Sequence, residues 1–456
     1  MPIPQTLIDS IAGVKGFDKE AFIAVHEHGE QVTSVRFNPM KAPVPAGLPL
    51  AEKVPWASHG YYLTERPAFI FDPLIHAGVY YVQEASSMFL EQVLTQCIDC
   101  AQPLRVLDGC AAPGGKTTLL QSLISSDSLL VSNEVIKSRA AILEENCIKW
   151  GASNIIVTNT DPAALGRLEH FFDVIVVDAP CSGSGLFRRE PEAIQEWSEQ
   201  TVQLCHQRQQ RILADVAPAL KPGGLLIYST CSYSREEDED IADWLMETFA
   251  LESLPVSIEP GWGIVEVQSE RHKAFGYRFF PDKIKGEGFF ISCFRRQPGN
   301  VATVKPPKRS LLQKLSKNDT AIVQPWLQAH NTVQLWKQND MLFAFPAVLE
   351  KELLTIVDNL YVKQAGTVLG KIAGKDLVPD HALALSTLVN KETVGVSLKK
   401  DEAIQYLRKE EVTIPAVPKG WTLVQYEGQN LGWIKVLPNR VNNYYPANWR
   451  ILKTYI

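Results

Sequence analysis

From Gln83 to Cys293 the chain alternates short apolar runs with stretches of helical periodicity, and several of the runs stop on an acid, a glycine or a cysteine turn. Ala85, Met88, Phe89, Val93 and Leu94 recur at helical spacing ahead of the run Leu104 to Leu107. Apolar Leu129 to Ser132, helical Ala140 to Trp150, apolar Ile155 to Val157 and apolar Val174 to Val177 follow. A long helical stretch over 200–219, apolar Leu225 to Tyr228 and a last run from Gly288 to Cys293 complete the series. Runs too short to be helices, alternating with helices, predict an α/β fold with a parallel sheet covered by helices. In such a sheet the carboxyl ends of the strands share one edge, so the residues that follow each run are expected to meet in one crevice.

The rest of the chain reads less sharply. Its 456 residues predict roughly three domains at about 150 residues each. Residues 1–75 read as a small α+β unit and 76–297 as the α/β domain. Lys305-Pro306-Pro307-Lys308-Arg309 lies inside a basic linker, 298–318, followed by regions at 319–390 and 391–456. Lys and Arg number 45 against 51 Asp and Glu, so any polyanion-binding surface has to be local. Two places offer one: the five acid-free bases between Lys305 and Asn318, and a late cluster of Trp433, Lys435, Arg440, Tyr444, Tyr445, Trp449 and Arg450. The segment after about 298 is expected to bind RNA and to be separable from the chemistry. Eight irregularly spaced cysteines fit a reducing compartment, and neither a secretion signal nor an 18-residue apolar run is present, which predicts a cytoplasmic chain with no membrane partner.

The first run ends at Asp108-Gly109-Cys110-Ala111-Ala112-Pro113-Gly114-Gly115-Lys116-Thr117 and leads into a helix. A turn of small residues there lets a ligand approach backbone N–H groups at a helix N-terminus. It is not a P-loop, because that motif needs glycine six positions before the lysine and this chain has Cys110. The G-x-G-x-x-G pattern fails too, since Cys110 and Ala111 follow Gly109. Glu134 closes the second run, where nucleoside-binding sheets place an acceptor for ribose hydroxyls, and Asp161 follows the third, where an acid can accept an adenine amine. Adenosine recognition without a phosphate cradle favours S-adenosyl-L-methionine over ATP or NAD.

The fourth and fifth runs end in Asp178-Ala179-Pro180-Cys181-Ser182-Gly183 and Ser229-Thr230-Cys231-Ser232. Both cysteines are flanked by turn residues and not by core residues, so both are expected to open into the crevice. Cys97 and Cys100 form a C-x-x-C without a second pair, which leaves no metal site to assign. Two thiols, an acid and a methyl donor suit methylation of pyrimidine C5. That carbon becomes nucleophilic only after a thiolate adds to C6, an acid near N3 stabilises the developing charge, and a base then removes the C5 proton.

These segments resemble the RNA cytosine-C5 methyltransferases of the NOL1/NOP2/Sun family. The likeness extends over most of residues 35–295 and includes Asn38-Pro39, Gln83-Glu84-Ala85-Ser86-Ser87-Met88, Lys221-Pro222-Gly223-Gly224 and Gly286-Glu287-Gly288-Phe289-Phe290. It implies a class I, Rossmann-like methyltransferase sheet, with Cys231 as nucleophile, Cys181 assisting product release and Asp178 contacting cytosine N3. Cys110, Ala111, Ala112, Pro113, Gly114, Gly115, Lys116, Glu134, Arg139, Asp161 and Asp178 would hold S-adenosyl-L-methionine. DNA cytosine methyltransferases use the Pro-Cys thiol, here Cys181, so Thr230-Cys231 argues for RNA. Many members carry histidine at the position of Asp282, to which no role is assigned. The C-terminal third is similar to that of the bacterial small-subunit rRNA methyltransferase F group, which implies a PUA-like module over 391–456. The implied substrate is small-subunit rRNA, within the 30S subunit, met by a monomer. The same chemistry on tRNA or large-subunit rRNA, and a non-catalytic assembly factor, are the alternatives.

Overall fold

A small antiparallel sheet comes first, built from β1 (Ser34–Phe37), β2 (Leu50–Lys53), β3 (Gly60–Leu63) and β4 (Tyr80–Val82) in the order β2-β3-β1-β4. The structure, a computed structural model, describes residues 3–41, 47–299, 312–328, 332–414 and 417–453. The central sheet follows with β5 (Arg105–Asp108), β6 (Leu129–Asn133), β7 (Ile155–Thr158), β8 (Phe172–Asp178) and β9 (Leu220–Thr230). These five strands are parallel and lie in the order β7-β6-β5-β8-β9. The order reverses between β5 and β8, and that is where an open α/β sheet leaves its ligand crevice.

Both faces of this sheet are covered, which is why its strands read as continuous Val, Ile and Leu. Val106, Leu130, Val174 and Ile227 pack on one side with helices 90–97 and 115–123. Their neighbours Leu107, Val131, Ile175 and Leu226 point to the other side, beneath helix 199–216. That helix starts at Ser198, whose Oγ accepts from Thr201 N at 3.0 Å. Beyond β9 the sheet turns antiparallel through β13 (Phe289–Arg296), β12 (Phe275–Phe279) and β11 (Val265–Gln268), with β10 (Leu251–Ser253) also pairing β13.

The C-terminal third is docked and not appended, which corrects the expectation that it could be cut away. Val362–Ala365 pairs antiparallel with β7 and closes that edge of the central sheet. Leu312, Trp336, Phe343, Phe345, Leu353 and Ile356 share a core with Ile175 and Leu226. The last sheet, Gly395–Ser397, Gly420–Tyr426, Gln429–Val436 and Val441–Asn443, packs Val424, Leu431 and Ile434 against Val35, Phe37 and Tyr80 of the N-terminal unit. The first and last sheets of the chain therefore share one core.

The late cluster of the expected RNA surface changes with this packing. Residues 300–311, with Lys305, Lys308 and Arg309, lie outside the described residues. Lys314 pairs with Glu350 at 2.7 Å and lies over the Trp336 ring. In the late cluster Trp433 and Tyr445 are each 1% exposed, because their rings fill the contact between the last sheet and its neighbours, so neither can stack on a base. Lys435 stays half-buried, and Arg440, Tyr444 and Arg450 are exposed. No helix among the described residues is long and apolar enough to cross a membrane.

Candidate active site

The loop after β5 is held from below. Gly109 N donates to Val176 O at 2.8 Å and Ala111 N to Asn133 O at 2.9 Å. Gly114 sits at φ +117, a left-handed conformation, as it turns the chain into helix 115–123. Arg36, fully buried on β1, reaches this loop from the N-terminal unit, donating to Gly115 O at 3.2 Å and Thr118 Oγ1 at 2.6 Å. Sequence reasoning missed this anchor, because a lone arginine in an apolar strand carries no signal of its partner.

Of the residues assigned to the cofactor, Arg139 works from within. Its guanidinium donates to Ala112 O at 2.7 Å and lies 3.5 Å from Glu134 Oε2. Glu134 is 3% exposed and accepts from Ile136 N at 2.8 Å. Asp161 caps the short helix 162–166 by accepting from Ala163 N, and is otherwise exposed. Burial raises the Cys110 thiol pKa, with Asp108 and Asp178 nearby adding to the effect. Ala111 and Ala112 are buried beside it, and Pro113 O accepts from Asn146.

Asp108 is the site acid to which the sequence assigned no role. It is wholly buried, Thr117 donates to its Oδ2 at 2.7 Å, and its Oδ1 has no hydrogen-bond partner among the described residues. Burial pushes its pKa up to about 7. A buried acceptor with an unused lone pair suits a cationic ligand, and S-adenosylmethionine carries both a sulfonium and an ammonium. The residues present therefore fit that cofactor.

At the other side of the switch point the two cysteine loops meet. Cys181 Sγ and Cys231 Sγ lie 3.0 Å apart as free, half-buried thiols. The contact with Cys231 and burial together hold the Cys181 pKa well above the usual thiol range. Asp178 is fixed on both oxygens: Lys116 Nζ lies 2.7 Å from Oδ2, and Ser229 Oγ donates to Oδ1 at 2.8 Å. Cys181, Cys231, Asp178 and Lys116 are thus brought together, as the strand-end pattern predicted, while Glu134 and Asp161 stand farther along the same edge after β6 and β7.

The loop after β12 completes the wall. Gly288 N donates to Gly185 O at 3.1 Å, and Gly185 N to Cys231 O at 2.9 Å. A Cβ on Gly185 would lie 2.5 Å from Gly288 O, so the approach requires glycine. Glu84 accepts from Glu287 N at 2.9 Å, joining Gln83–Met88 to Gly286–Phe290. Asp282 is buried beside Lys283.

Three segments match known families. Residues 3–85 match the N-terminal domain of 16S rRNA methyltransferase RsmF, 96–295 match 16S rRNA methyltransferase RsmB/F, and 394–451 match the methyltransferase RsmF PUA domain. The chain is 29% identical to the ribosomal RNA small subunit methyltransferase F of Shewanella loihica over 87% of its own length and 83% of the relative's. It is 28% identical to the protein of that name from Vibrio vulnificus over 97% of both chains. A solved methyltransferase homologue from Pyrococcus horikoshii superposes with a TM-score of 0.52 at 28% identity, covering 64% of this chain and all of that one. The structure of NSun6 with SFG from the same organism shares the fold, with a TM-score of 0.54 at 18% identity over 65% and 98% of the two chains.

Proposed function

We propose that this chain, which belongs to the RsmB/F family of S-adenosylmethionine-dependent RNA methyltransferases, methylates C5 of a cytosine in small-subunit rRNA through a covalent adduct on Cys231. The observation that carries this reading is the pair of free thiols 3.0 Å apart beside an anchored Asp178. S-adenosylmethionine supplies an electrophilic methyl on sulfur, and the loop from Cys110 to Lys116, with Asp108 and Glu134, would hold it. Asp178, oriented by Lys116 and Ser229, faces cytosine N3.

Cys231 adds through sulfur to C6, and the displaced π electrons become available at C5 for the methyl group. Asp178 meets the charge that develops at N3. After transfer, the C5 proton leaves to a base, the C5–C6 double bond re-forms, and the Cys231–C6 bond breaks. Cys181, its sulfur 3.0 Å from that of Cys231, is placed to donate a hydrogen bond to the departing Cys231 sulfur and so to assist release. Two cysteines thereby divide the work of attack and release. The PUA-type module would select the rRNA, met by a monomer within the 30S subunit. Mapping of 5-methylcytosine in rRNA from cells with and without the protein tests the reading. One small-subunit position should lose its methyl group, and an unchanged map overturns the assignment.

A further inference from the structure

We propose that Glu237 is a positioning residue for both cysteines: one buried carboxylate that staples the two loops and sets the spacing of the sulfurs. The proposal rests on the adduct chemistry above. Glu237 is 0% exposed and lies in the short helical turn 235–237, beyond the β9 loop. Its Oε1 accepts from Ser182 N at 2.8 Å and Gln209 Nε2 at 3.2 Å. Its Oε2 accepts from Ser182 Oγ at 2.5 Å and Ser232 Oγ at 2.6 Å. Ser182 follows Cys181 and Ser232 follows Cys231.

The residues before the cysteines are held by the same cluster. Gln209, itself wholly buried, donates to Pro180 O at 3.1 Å. Thr230 Oγ1 donates to Asp238 Oδ1 at 2.6 Å. Each cysteine is thus bracketed, Cys181 between Pro180 and Ser182 and Cys231 between Thr230 and Ser232. The turn itself is fixed, since Tyr228 donates its hydroxyl to Glu237 O at 2.5 Å. The parallel pairing of β8 and β9 ends at Asp178 and Ser229, so the sheet ladder alone does not govern loops that extend past it. In the sequence Glu237 is one of five consecutive acids, 236–240, a pattern that reads as a solvated helix face.

The test uses the full-length protein and compares Glu237→Ala with Glu237→Gln. The glutamine is isosteric: its oxygen can accept the two N–H groups while its amide donates to the serine oxygens. Diamide, a thiol oxidant, takes two electrons and two protons from the thiol pair as the sulfur–sulfur bond forms, and mass spectrometry follows the rate. Cross-linking of Cys181 to Cys231 should slow about tenfold or more in Glu237→Ala and recover in Glu237→Gln, because the rate depends on how the two sulfurs are held. The alanine variant should also lose about 100-fold in kcat with KM for cofactor and RNA nearly unchanged, the signature of misplaced reacting groups. Adduct formation on RNA containing 5-fluorocytosine should slow in parallel.

Wild-type cross-linking and turnover in folded Glu237→Ala overturn the proposal, and so does a Glu237→Gln variant as impaired as the alanine one. If Glu237→Ala does not fold, Ser182→Ala combined with Ser232→Ala removes both hydroxyl arms, and its wild-type behaviour overturns the proposal equally. Diamide oxidation involves no RNA, so it separates failure of the staple from failure of the Cys231 reading, which an active Cys231→Ala would show.

Discussion

The candidate crevice and the seam where the N-terminal sheet meets the last sheet both bury ionisable groups, yet they partner them differently. In the crevice the carboxylates are mostly met by side-chain partners, with Lys116 on Asp178, Arg139 on Glu134 and four donors on Glu237, while Asp108 keeps one oxygen free among the described residues. In the seam three of the buried ionisable groups are bases set against backbone carbonyls or aromatic rings. Lys41 donates to Ala77 O and Lys149 O, and burial lowers its pKa to about 7. His76 Nε2 lies 2.9 Å from Ile70 O, and burial brings its pKa to about 4. His381 packs edge-on to Tyr445 and Trp449, neither ring nitrogen has a hydrogen-bond partner among the described residues, and burial lowers its pKa to about 3. Burial holds these seam imidazoles neutral, which makes the seam vulnerable to acid.

The largest expected effect tests the crevice. Cys231→Ala should lower methyl transfer by about 10,000-fold or more, since removing a covalent nucleophile removes the route itself. Cofactor affinity measured by calorimetry should stay unchanged, and wild-type methylation would falsify the nucleophile assignment. Cys181→Ala should fail later on the same path. With no thiol beside the departing sulfur, turnover should fall about 100-fold and a protein–RNA adduct should persist on a denaturing gel. Free protein alone on that gel removes the release role from Cys181.

The seam responds to pH instead. His76 has a folded pKa below its unfolded value of 6.5, so the unfolded chain binds the proton more readily. Its stabilising contribution is complete above pH 6.5 and is lost as pH falls toward about 4, by about 3 kcal/mol. Urea midpoints taken across that range should drop less in His76→Gln than in wild type, and parallel curves would mean that His76 does not titrate with unfolding. Back in the crevice, Glu134→Ala should weaken cofactor binding by about 1.5–3 kcal/mol, roughly 10- to 150-fold, with RNA affinity nearly unchanged. An unaltered cofactor dissociation constant would leave Glu134 as no more than the partner of Arg139. The smallest effect belongs to the exposed rim of the last sheet: Tyr444→Ala should cost about 1 kcal/mol of RNA affinity, about fivefold, if its ring stacks on a base. Unchanged RNA binding would leave Tyr444 as a packing partner of Trp421, 4.4 Å away between ring centroids.

Much of the crevice could be read before any coordinates. Runs such as Val174 to Val177 are local patterns, and a parallel sheet sends all its strand ends to one edge, so Asp178, Cys181 and Cys231 had to converge once that topology was inferred. The turn residues around each cysteine marked them as loop thiols for the same local reason. What surrounds them depended on partners far along the chain. Glu237 looks like a surface acid until helix 199–216 and both cysteine loops close over it, and Arg36 acquires its role only where the N-terminal sheet meets the helix after β5.

The C-terminal third shows where sequence stops deciding. Its aromatic and basic residues suggested one RNA-facing surface, but Trp433 and Tyr445 are core while Tyr444, adjacent in sequence, faces solvent. The sequence by itself determined the parallel sheet and the strand-end edge at which the two thiols lie, because hydrophobic period and strand-end residue types are properties of short segments. Tertiary structure alone decided that Leu312, Trp336 and Phe343 complete the core of the central sheet, that the N-terminal and last sheets share a seam, and that one buried carboxylate accepts from the residue after each cysteine. Burial is set by what packs against a residue from elsewhere in the chain, and an aromatic or an acid carries no local sign of that neighbour.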